Sequence, residues 1–418
     1  MDPARGAGVG DRQRRSCHRR VDPRRGHAVL PRPRRSDPNL VGPDPAQRFR
    51  RRCCGQRLLV VLPATGRRHR AGGAGVLARR AESGTHPQPS AGGGRMSLLS
   101  VRNLSVTYRG GVRAVDGVDL DVSAGEVVGL AGESGCGKST LALAVARLLP
   151  PGAVAAADEM TFAGTDLSTV DEAGLRALRW RRLSLVFQGA MNGFNPVMTI
   201  GDQVREAIRA HEPEADRKAV RRRVAELLTQ VGISSGRAAD YPHQLSGGMK
   251  QRAMIAMALA CRPDLVIADE PTTALDVMTQ AQILELIRGL ADELGLSMLI
   301  ISHDLTVLSE LCDRVAVMYA GRIVERGRAE DILSSDSRPA HPYTRRLLDC
   351  YPRLDAGQAS ISGIPGSPPD LAHPPAGCRF NDRCVEKLAR CATDDPALHQ
   401  VAGAAAHLAA CHMVEARA

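Results

Sequence analysis

Residues 132–140, Gly-Glu-Ser-Gly-Cys-Gly-Lys-Ser-Thr, combine residue types that can bind phosphate groups. The segment follows the pattern G-x-x-x-x-G-K-[ST], with Lys138 and Ser139 at its end. Glycines let backbone N–H groups converge on phosphates, the lysine reaches the β and γ phosphates, and the serine hydroxyl is expected to bind Mg²⁺. The sequence therefore predicts a site that binds and hydrolyses ATP. The residues expected to contact the nucleotide are Gly132, Ser134, Gly135, Cys136, Gly137, Lys138, Ser139 and Thr140. At Cys136 only the backbone is needed.

Two acidic residues follow an apolar segment at 265–268, which is typical of a buried strand. Ligands of open α/β sheets bind at the carboxyl ends of the strands, where Asp269 and Glu270 are expected to lie. We expect Asp269 to help hold Mg²⁺ and Glu270 to polarise the attacking water. Solvated loop acids are a weaker interpretation, because the two residues directly end an apolar strand.

A second anion site is predicted at residues 245–252, Leu-Ser-Gly-Gly-Met-Lys-Gln-Arg. A Ser-Gly-Gly sequence before a helix offers backbone N–H groups, a hydroxyl and the positive end of the helix dipole. Because one ATP needs one such site, two sites in one chain indicate that the second serves the nucleotide of another subunit.

With this segment the chain resembles the ABC ATPase family, whose signature motif is similar to residues 245–252. The resemblance covers residues 96–335, and the motifs occur in the family's order. It implies an α/β fold, the P-loop NTPase fold of ABC ATPases, with a helical subdomain inserted at about residues 189–249. It also implies that the second anion site contacts a partner's nucleotide through Ser246, Gly247, Gly248 and Gln251.

The resemblance implies roles for four further residues. Gln188 is similar to the glutamine that contacts Mg²⁺ and the water and couples the site to a transmembrane partner. Asp276 resembles the D-loop residue that crosses between two ATPase subunits, and His303 resembles the switch histidine that touches the γ-phosphate. Tyr108 stands where the family stacks an aromatic ring on adenine, with a core tyrosine as the alternative. The implied catalytic residues are Glu270, His303 and Gln188, and the implied Mg²⁺ ligands are Ser139, Gln188 and Asp269.

A cysteine cluster lies near the end of the sequence, at Cys378, Cys384, Cys391 and Cys411. Its spacing lacks the C-x₂-C pairs of a typical structural zinc site. Together with the His-Pro-Tyr-Thr sequence at 341–344, the cluster resembles the tail of the ATPase subunits of dipeptide and oligopeptide ABC importers, some of which bind a [4Fe–4S] cluster through four such cysteines. A [4Fe–4S] cluster, zinc and unliganded thiols remain the three interpretations.

The elements that must position these residues alternate along residues 96–335. Apolar segments at 126–131, 265–268 and 297–301 predict buried strands of a largely parallel sheet, and residues 141–149 predict a helix after the phosphate loop. Charged residues with helical period at 202–232 predict the inserted subdomain. Residues 336–418 are rich in Pro, Gly, His and Cys, and they predict a separate C-terminal extension with little regular structure.

The first 95 residues carry the positive charge of the chain. They contain 22 Arg, no Lys and 6 acidic residues, a surplus of 16 positive charges, so residues 96–418 carry 11 − 16 = −5. This Arg-, Pro- and Gly-rich composition predicts disorder, and a start of translation at Met96 is a second interpretation; a mitochondrial transit peptide fits less well because of the prolines. The negative remainder gives no electrostatic argument for a nucleic-acid partner.

The implied function is ATP hydrolysis that drives import of dipeptides or oligopeptides. No apolar segment reaches the length of a membrane helix, so the resemblance implies a peripheral position on the cytoplasmic face of the membrane. The implied partners are a second ABC ATPase subunit, which forms a heterodimer, two transmembrane permease subunits and an extracytoplasmic substrate-binding protein. Nickel or glutathione import is the alternative within the family, and a soluble ABC ATPase without a channel is the alternative outside transport.

Overall fold

The structure is a computed structural model that describes residues 97–189, 193–334, 337, 339–350, 363–404 and 406–415. The segment at 1–95, for which the sequence predicts disorder, lies outside the described residues, as does Met96. Residues 335 and 336, where the C-terminal extension is predicted to begin, lie outside them too.

The strands form two sheets. Their bounds are β1 Ser97–Thr107, β2 Arg113–Ser123, β3 Val127–Ala131, β4 Val154–Ala156, β5 Glu159–Phe162, β6 Thr165–Asp166, β7 Leu183–Val186, β8 Leu265–Asp269, β9 Ser297–Ile301, β10 Arg314–Tyr319, β11 Arg322–Arg328, β12 His399–Gln400 and β13 Leu408–Ala409. The larger sheet has the order β12-β13-β11-β10-β3-β9-β8-β7, and its five strands from β10 to β7 are parallel. The expected α/β fold with a largely parallel sheet is therefore confirmed.

The helices cover the larger sheet and supply the segment between β7 and β8. Their bounds are α1 Lys138–Val145, α2 Glu172–Leu178, α3 Ile200–His211, α4 Arg217–Gln230, α5 Gly247–Ala258, α6 Val277–Leu294, α7 Leu305–Leu311, α8 Ala329–Leu333, α9 Pro342–Asp349 and α10 His412–Glu415. Short 3₁₀ turns are formed by Ser235–Ala239, Pro242–Gln244, Asn381–Arg383 and Ala389–Ala392.

The helix after the phosphate loop differs from its predicted bounds of 141–149. It begins at Lys138, because Gly137 takes a left-handed conformation with φ 112° that turns the chain directly into the helix. It ends at Val145, and Arg147 is already left-handed with φ 54°. The two prolines that follow at 150 and 151 also disfavour a longer helix.

Three strands in the middle of the larger sheet are buried on both faces. All five residues of β3, β8 and β9 are buried, which explains their uninterrupted apolar sequences. Alternate residues contribute to two core clusters: Val266 and Ala268 pack on the side of α5 and α6, while Leu265 and Ile267 pack on the side of β1 and β2. The ends of these strands are thus fixed by packing on both sides.

The smaller sheet, in the order β2-β1-β5-β6 with β4 also on β1, is antiparallel and was not predicted as a sheet. The extension predicted as a separate unit also joins the larger sheet, because β13 pairs with β11 through Leu408 and Ala409. Two-residue strands give no periodic pattern that a sequence could reveal.

Candidate active site

The phosphate loop connects β3 to α1 and is closely packed against two neighbouring segments. A side chain at Gly137 would collide with the carbonyl oxygen of Ala114, and one at Gly132 with that of Met318. Gly132 and Gly135 also have left-handed φ angles of 146° and 83°. Backbone conformation therefore requires glycine at positions 132, 135 and 137, and lack of space for a side chain also requires it at 132 and 137.

Lys138 is buried at the first position of α1 and reaches back over the loop. Its Nζ donates to the carbonyl oxygens of Gly132 at 2.7 Å and Glu133 at 2.9 Å. An ammonium has three donors, and the third is directed at the Cys136 sulfur, a weak acceptor that a phosphate oxygen can replace. The Cys136 thiol is buried 3.7 Å from the same nitrogen, and burial raises the pKa of this thiol. A neutral, packed thiol agrees with the prediction that Cys136 contributes only its backbone.

Asp269 and Ser139 come together at the carboxyl end of β8. The Ser139 hydroxyl donates to the Asp269 carboxylate, and burial nevertheless raises the pKa of Asp269 above its ordinary value. The second oxygen of Asp269, Oδ1, is buried without a hydrogen-bond partner. A buried carboxylate oxygen without a donor, beside a hydroxyl, fits an oxygen-ligated divalent cation such as Mg²⁺.

Phosphate oxygens of the nucleotide and water molecules would complete the coordination shell of a Mg²⁺ ion held here. Within the described residues, no group of three or more His, Cys, Asp and Glu side chains is arranged to hold a metal ion. A magnesium–nucleotide site does not need such a group, because it uses one carboxylate, a hydroxyl and phosphate oxygens.

The Glu270 carboxylate is contacted by three side chains from different parts of the chain. Its Oε2 accepts hydrogen bonds from Gln188 Nε2 at 2.7 Å and from Thr273 Oγ1 at 2.8 Å, and its Oε1 lies 3.0 Å from His303 Nδ1. Burial alone would raise the pKa of Glu270, but the hydrogen bonds from Thr273, His303 and Gln188 outweigh it and the pKa is lowered. Glu270 is therefore an ionised acceptor near neutral pH, as a water-polarising residue must be.

The positions of these residues follow from the sheet. Gln188, Glu270 and His303 come shortly after β7, β8 and β9, which are adjacent parallel strands, so their carboxyl ends meet at one edge. Glu270 has a left-handed φ of 50°, and its N–H donates to the Ile301 carbonyl at 2.8 Å. Such a conformation is costly for a non-glycine residue and is held here by a bond to the neighbouring strand. Sequence reasoning had missed Thr273, whose only signal is its place three residues after Glu270.

Tyr108 lies beside the end of the phosphate loop. Its hydroxyl is 3.1 Å from Thr140 Oγ1, and its half-buried ring packs against the core cluster that contains β1 and β2. This place is compatible with both interpretations of Tyr108, so stacking on adenine stays a prediction.

The second anion site is formed at the start of α5. Ser246 caps this helix by accepting from Met249 N at 3.3 Å, and Gln251 is buried one turn later. A side chain at Gly248 would collide with Thr279, whose N–H and hydroxyl donate to Asp276 at 3.0 and 2.8 Å. Residues 246–251 thus pack on Thr279, the residue that donates to Asp276. No hydrogen bond among the described residues joins Ser246–Gln251 to residues 132–140.

The four cysteines of the extension line one small cavity together with His341, Phe380 and His412. Burial raises the pKa of the Cys378 thiol to about 12, and it raises those of Cys384 and Cys411 as well. The fold therefore brings all four predicted ligands to one place. They are not in metal-binding geometry in the described residues, so the [4Fe–4S] cluster stays a prediction.

None of the helices formed by the described residues is both long and apolar enough to cross a membrane.

This chain is similar to known families and proteins. Residues 115–273 match the family model described as ABC transporter, and residues 324–391 match the one described as oligopeptide/dipeptide transporter, C-terminal region. The chain is 46% identical over 300 residues to the dipeptide transport ATP-binding protein DppD of Bacillus subtilis, covering 70% of this chain and 88% of that protein. It is 44% identical over 320 residues to a probable peptide ABC transporter ATP-binding protein of Sinorhizobium fredii, covering 75% and 94%.

A solved structure of a dimeric ATP-binding cassette in a post-hydrolysis state, with ADP and Pi, has 29% sequence identity and a TM-score of 0.50, covering 56% of this chain and 99% of that one. The phosphate loop, the residues around Glu270 and these similarities lead to one conclusion: the chain belongs to the ABC transporter family, as an ATP-hydrolysing, ATP-binding subunit with the oligopeptide/dipeptide transporter C-terminal region.

Proposed function

We propose that this chain energises the import of dipeptides or oligopeptides by hydrolysing ATP at the cytoplasmic face of the membrane. The observation that carries the chemical part is the convergence of Gln188, Thr273 and His303 on Glu270. The substrate class is supported by the relatives with names in dipeptide and peptide transport, and by the match of residues 324–391 to the oligopeptide/dipeptide transporter C-terminal region.

In this proposal Ser139, Gln188 and Asp269 hold Mg²⁺, and Lys138 with the loop N–H groups binds the β and γ phosphates. Glu270 orients the attacking water, and His303 responds to the γ-phosphate. The bound Mg²⁺ supplies charge neutralisation for the transferred phosphoryl group.

A second ATPase subunit would complete the site through its own counterpart of Ser246–Gln251, and a heterodimer is the form we propose. Two exposed apolar residues directly follow Asp276: Val277 is 82% exposed and Met278 is 72% exposed. Large apolar side chains at this exposure are typical of a surface that a partner covers. The structural neighbour is itself a dimeric cassette.

Two permease subunits and an extracytoplasmic substrate-binding protein are the further partners that we propose. Phe187, next to Gln188, is 40% exposed, and Val197 is 78% exposed. The Gln203 side chain holds the backbone of Asn195, two residues before Val197, because its Oε1 accepts from Asn195 N at 2.8 Å and its Nε2 donates to Asn195 O at 3.1 Å. We expect this apolar, braced surface to contact a permease, with no nucleic acid among the partners.

Uptake by cells tests the substrate. Cells that lack the gene would be complemented with the wild-type chain or with Glu270→Gln, and uptake of labelled dipeptide, oligopeptide, Ni²⁺ and glutathione would be compared. We expect only the wild type to restore peptide uptake. Restoration of Ni²⁺ or glutathione uptake alone would favour the alternatives within the family, and recovery of the chain with DNA or ribosomes instead of permeases would favour a soluble ABC ATPase.

The cysteine cavity is the basis of a second proposal, that Cys378, Cys384, Cys391 and Cys411 hold a [4Fe–4S] cluster. Its support is the position of all four thiols around one cavity and the suitability of four thiolates for such a cluster. Anaerobic purification should give broad absorption near ~400 nm and bound iron, both lost in Cys384→Ser and kept in Cys350→Ser. A colourless, iron-free protein would contradict the cluster, and zinc bound to the purified protein would favour a zinc site instead.

A further inference from the structure

The phosphate loop is contacted by two side chains of the C-terminal region. Arg383 donates to both oxygens of the Glu133 carboxylate, from Nη1 at 2.7 Å and from Nη2 at 3.0 Å. The Tyr343 hydroxyl accepts a hydrogen bond from Glu133 N at 2.9 Å. Both contacts fall on the second residue of the loop.

Arg383 is held rigidly. Its side chain is only 5% exposed, its Nε donates to the Pro365 carbonyl at 2.8 Å, and its guanidinium lies over the rings of Tyr319 and Phe380 at 5.7 and 6.0 Å. A guanidinium that is fixed on all sides and paired through two parallel hydrogen bonds defines the orientation of its carboxylate partner.

Tyr343 is equally well fixed. It is fully buried, and its ring lies 4.5 Å from that of Tyr319 and 5.4 Å from that of Phe380. Its N–H donates to His341 Nδ1 at the start of α9. The hydroxyl that meets Glu133 is therefore set by the packing of α9.

Glu133 connects these contacts to the nucleotide site. Its carbonyl oxygen accepts from Lys138 Nζ at 2.9 Å, while its N–H and carboxylate are held by Tyr343 and Arg383. Every polar group of this loop residue is thus engaged, two of the three by the C-terminal region. An unpaired carboxylate at this place would repel the phosphates of a bound nucleotide in a site of low dielectric.

We propose that Arg383 is a positioning residue of the nucleotide site, which orients the Glu133 side chain and neutralises its charge so that the phosphate loop accepts a nucleoside triphosphate. This inference rests on ATP binding at the loop and is independent of the transported substrate. It gives the C-terminal region a part in nucleotide binding that no motif in the region indicates.

Charge neutralisation by Arg383 and a merely structural role of Arg383 predict different effects on ATP binding. Removing Arg383 leaves the Glu133 charge unpaired beside the phosphates and should weaken ATP binding. Removing the charge with Glu133→Gln should weaken ATP binding less than Arg383→Met does, and it should rescue the arginine variant. A purely structural brace would be damaged by either change, and the two losses would not cancel.

The test is the Kd of Mg·ATP for the full chain, measured by equilibrium binding for Arg383→Met, Glu133→Gln, the double variant and the matched control Arg390→Met. Arg390 belongs to the same region and pairs with Glu415, which is not a residue of the phosphate loop. We expect Arg383→Met to raise the Kd about tenfold, equivalent to ~1.4 kcal/mol, and we expect both Glu133→Gln and the double variant to bind Mg·ATP more tightly than Arg383→Met does.

The inference is overturned if Arg383→Met binds like the wild type, if Glu133→Gln binds as weakly as Arg383→Met, or if the double variant is not rescued. Should Arg383→Met not fold, as judged by circular dichroism, Arg383→Gln removes the charge but keeps polar donors. We expect Arg383→Gln to raise the Kd as well, and Glu133→Gln to rescue it. An unchanged Kd, or no rescue, would contradict the inference in the same way. Failure of the wild type to bind ATP would instead overturn the proposed function.

Discussion

The strand ends of residues 97–334 and the C-terminal residues 363–404 and 406–415 position side chains in different ways. In the first region, Asp269 and Glu270 end a strand whose residues are all buried, so the backbone sets their places. In the second, short turns are held by single side chains, such as Arg379, which donates to the Ala320 carbonyl and to Asp116. The comparison indicates that regular elements position the candidate catalytic residues. The C-terminal region is attached to these elements through a few polar side chains, which we call its anchors.

The strongest anchor of the C-terminal region should be Glu325. It is fully buried in β11 and accepts from Ala340 N at 2.6 Å and His341 N at 3.2 Å, and His407 Nε2 lies 2.7 Å away. Glu325→Ala leaves these groups without a partner, and we expect the free energy of unfolding to fall by about 3 kcal/mol.

Chemical denaturation with limited proteolysis would measure this loss, and cleavage should appear first in the C-terminal region. Glu330→Ala is the matched control, because Glu330 forms an exposed pair with Arg328 and should change stability by less than about 1 kcal/mol. Equal effects of the two variants would contradict the special position of Glu325.

At the strand ends, Asp269→Asn should lower ATP turnover by about 10²-fold, because it removes the buried carboxylate that we propose as a ligand of Mg²⁺. The dependence of turnover on Mg²⁺ should shift to higher concentration. A Mg²⁺ titration of the steady-state rate checks both, with Asp292→Asn in the exposed pair with Arg288 as the control. An unchanged Mg²⁺ dependence would remove Asp269 from the metal site.

The C-terminal region should also respond to acid. Burial lowers the pKa of His341 from 6.5 to about 4, so this histidine is neutral when folded at pH 5, whereas the unfolded chain binds a proton there. The contribution of His341 to the free energy of unfolding is therefore full above pH 6.5 and is lost as the pH falls toward 4. The loss between pH 7 and 5 is about 2 kcal/mol.

Thermal unfolding of His341→Asn tests this dependence, since asparagine can still cap α9 but does not titrate. The variant should show a flatter loss of stability between pH 7 and 5 than the wild type. Parallel pH profiles would contradict the assignment to His341.

The smallest effect is expected for Tyr343→Phe, which keeps the aromatic packing and removes the acceptor of Glu133 N–H. Loss of this acceptor should raise the Kd of ATP about threefold. This is a smaller change in binding free energy than a full hydrogen bond would give, because the loop can relax. Equilibrium binding of ATP to the full chain measures it, and Tyr241→Phe, an exposed tyrosine outside the loop, is the control. A wild-type Kd for Tyr343→Phe would show that the phosphate loop does not need this contact.

The sequence predicted the part of the molecule that uses regular elements. Apolar strands are visible as continuous patterns, and the residues that follow them, Gln188, Glu270 and His303, necessarily share one sheet edge once the strands are parallel. The resemblance to the ABC ATPase family pointed to which of these residues matter.

The contacts of the C-terminal region could not be predicted in the same way. Arg383 and Glu133 are 250 residues apart in sequence and lie in segments without a periodic pattern. A long-range ion pair has no local signal, because any arginine of the region is an equal candidate until the packing of Tyr319 and Phe380 selects one. The two-residue strands β12 and β13 also lack a periodic pattern and were not predicted.

The central claim is that Glu270 polarises the water that attacks a nucleotide held by the phosphate loop, and a single-turnover experiment on Glu270→Gln tests it most directly. The full chain, assembled with its membrane partners, would be mixed with labelled Mg·ATP, and bound ATP and released phosphate would be followed in time. We predict that the variant binds ATP with wild-type affinity but cleaves it ~10² to 10⁴ times more slowly, whereas Glu293→Gln on the exposed face of α6 cleaves it normally. Phosphate release by Glu270→Gln at the wild-type rate would contradict the account.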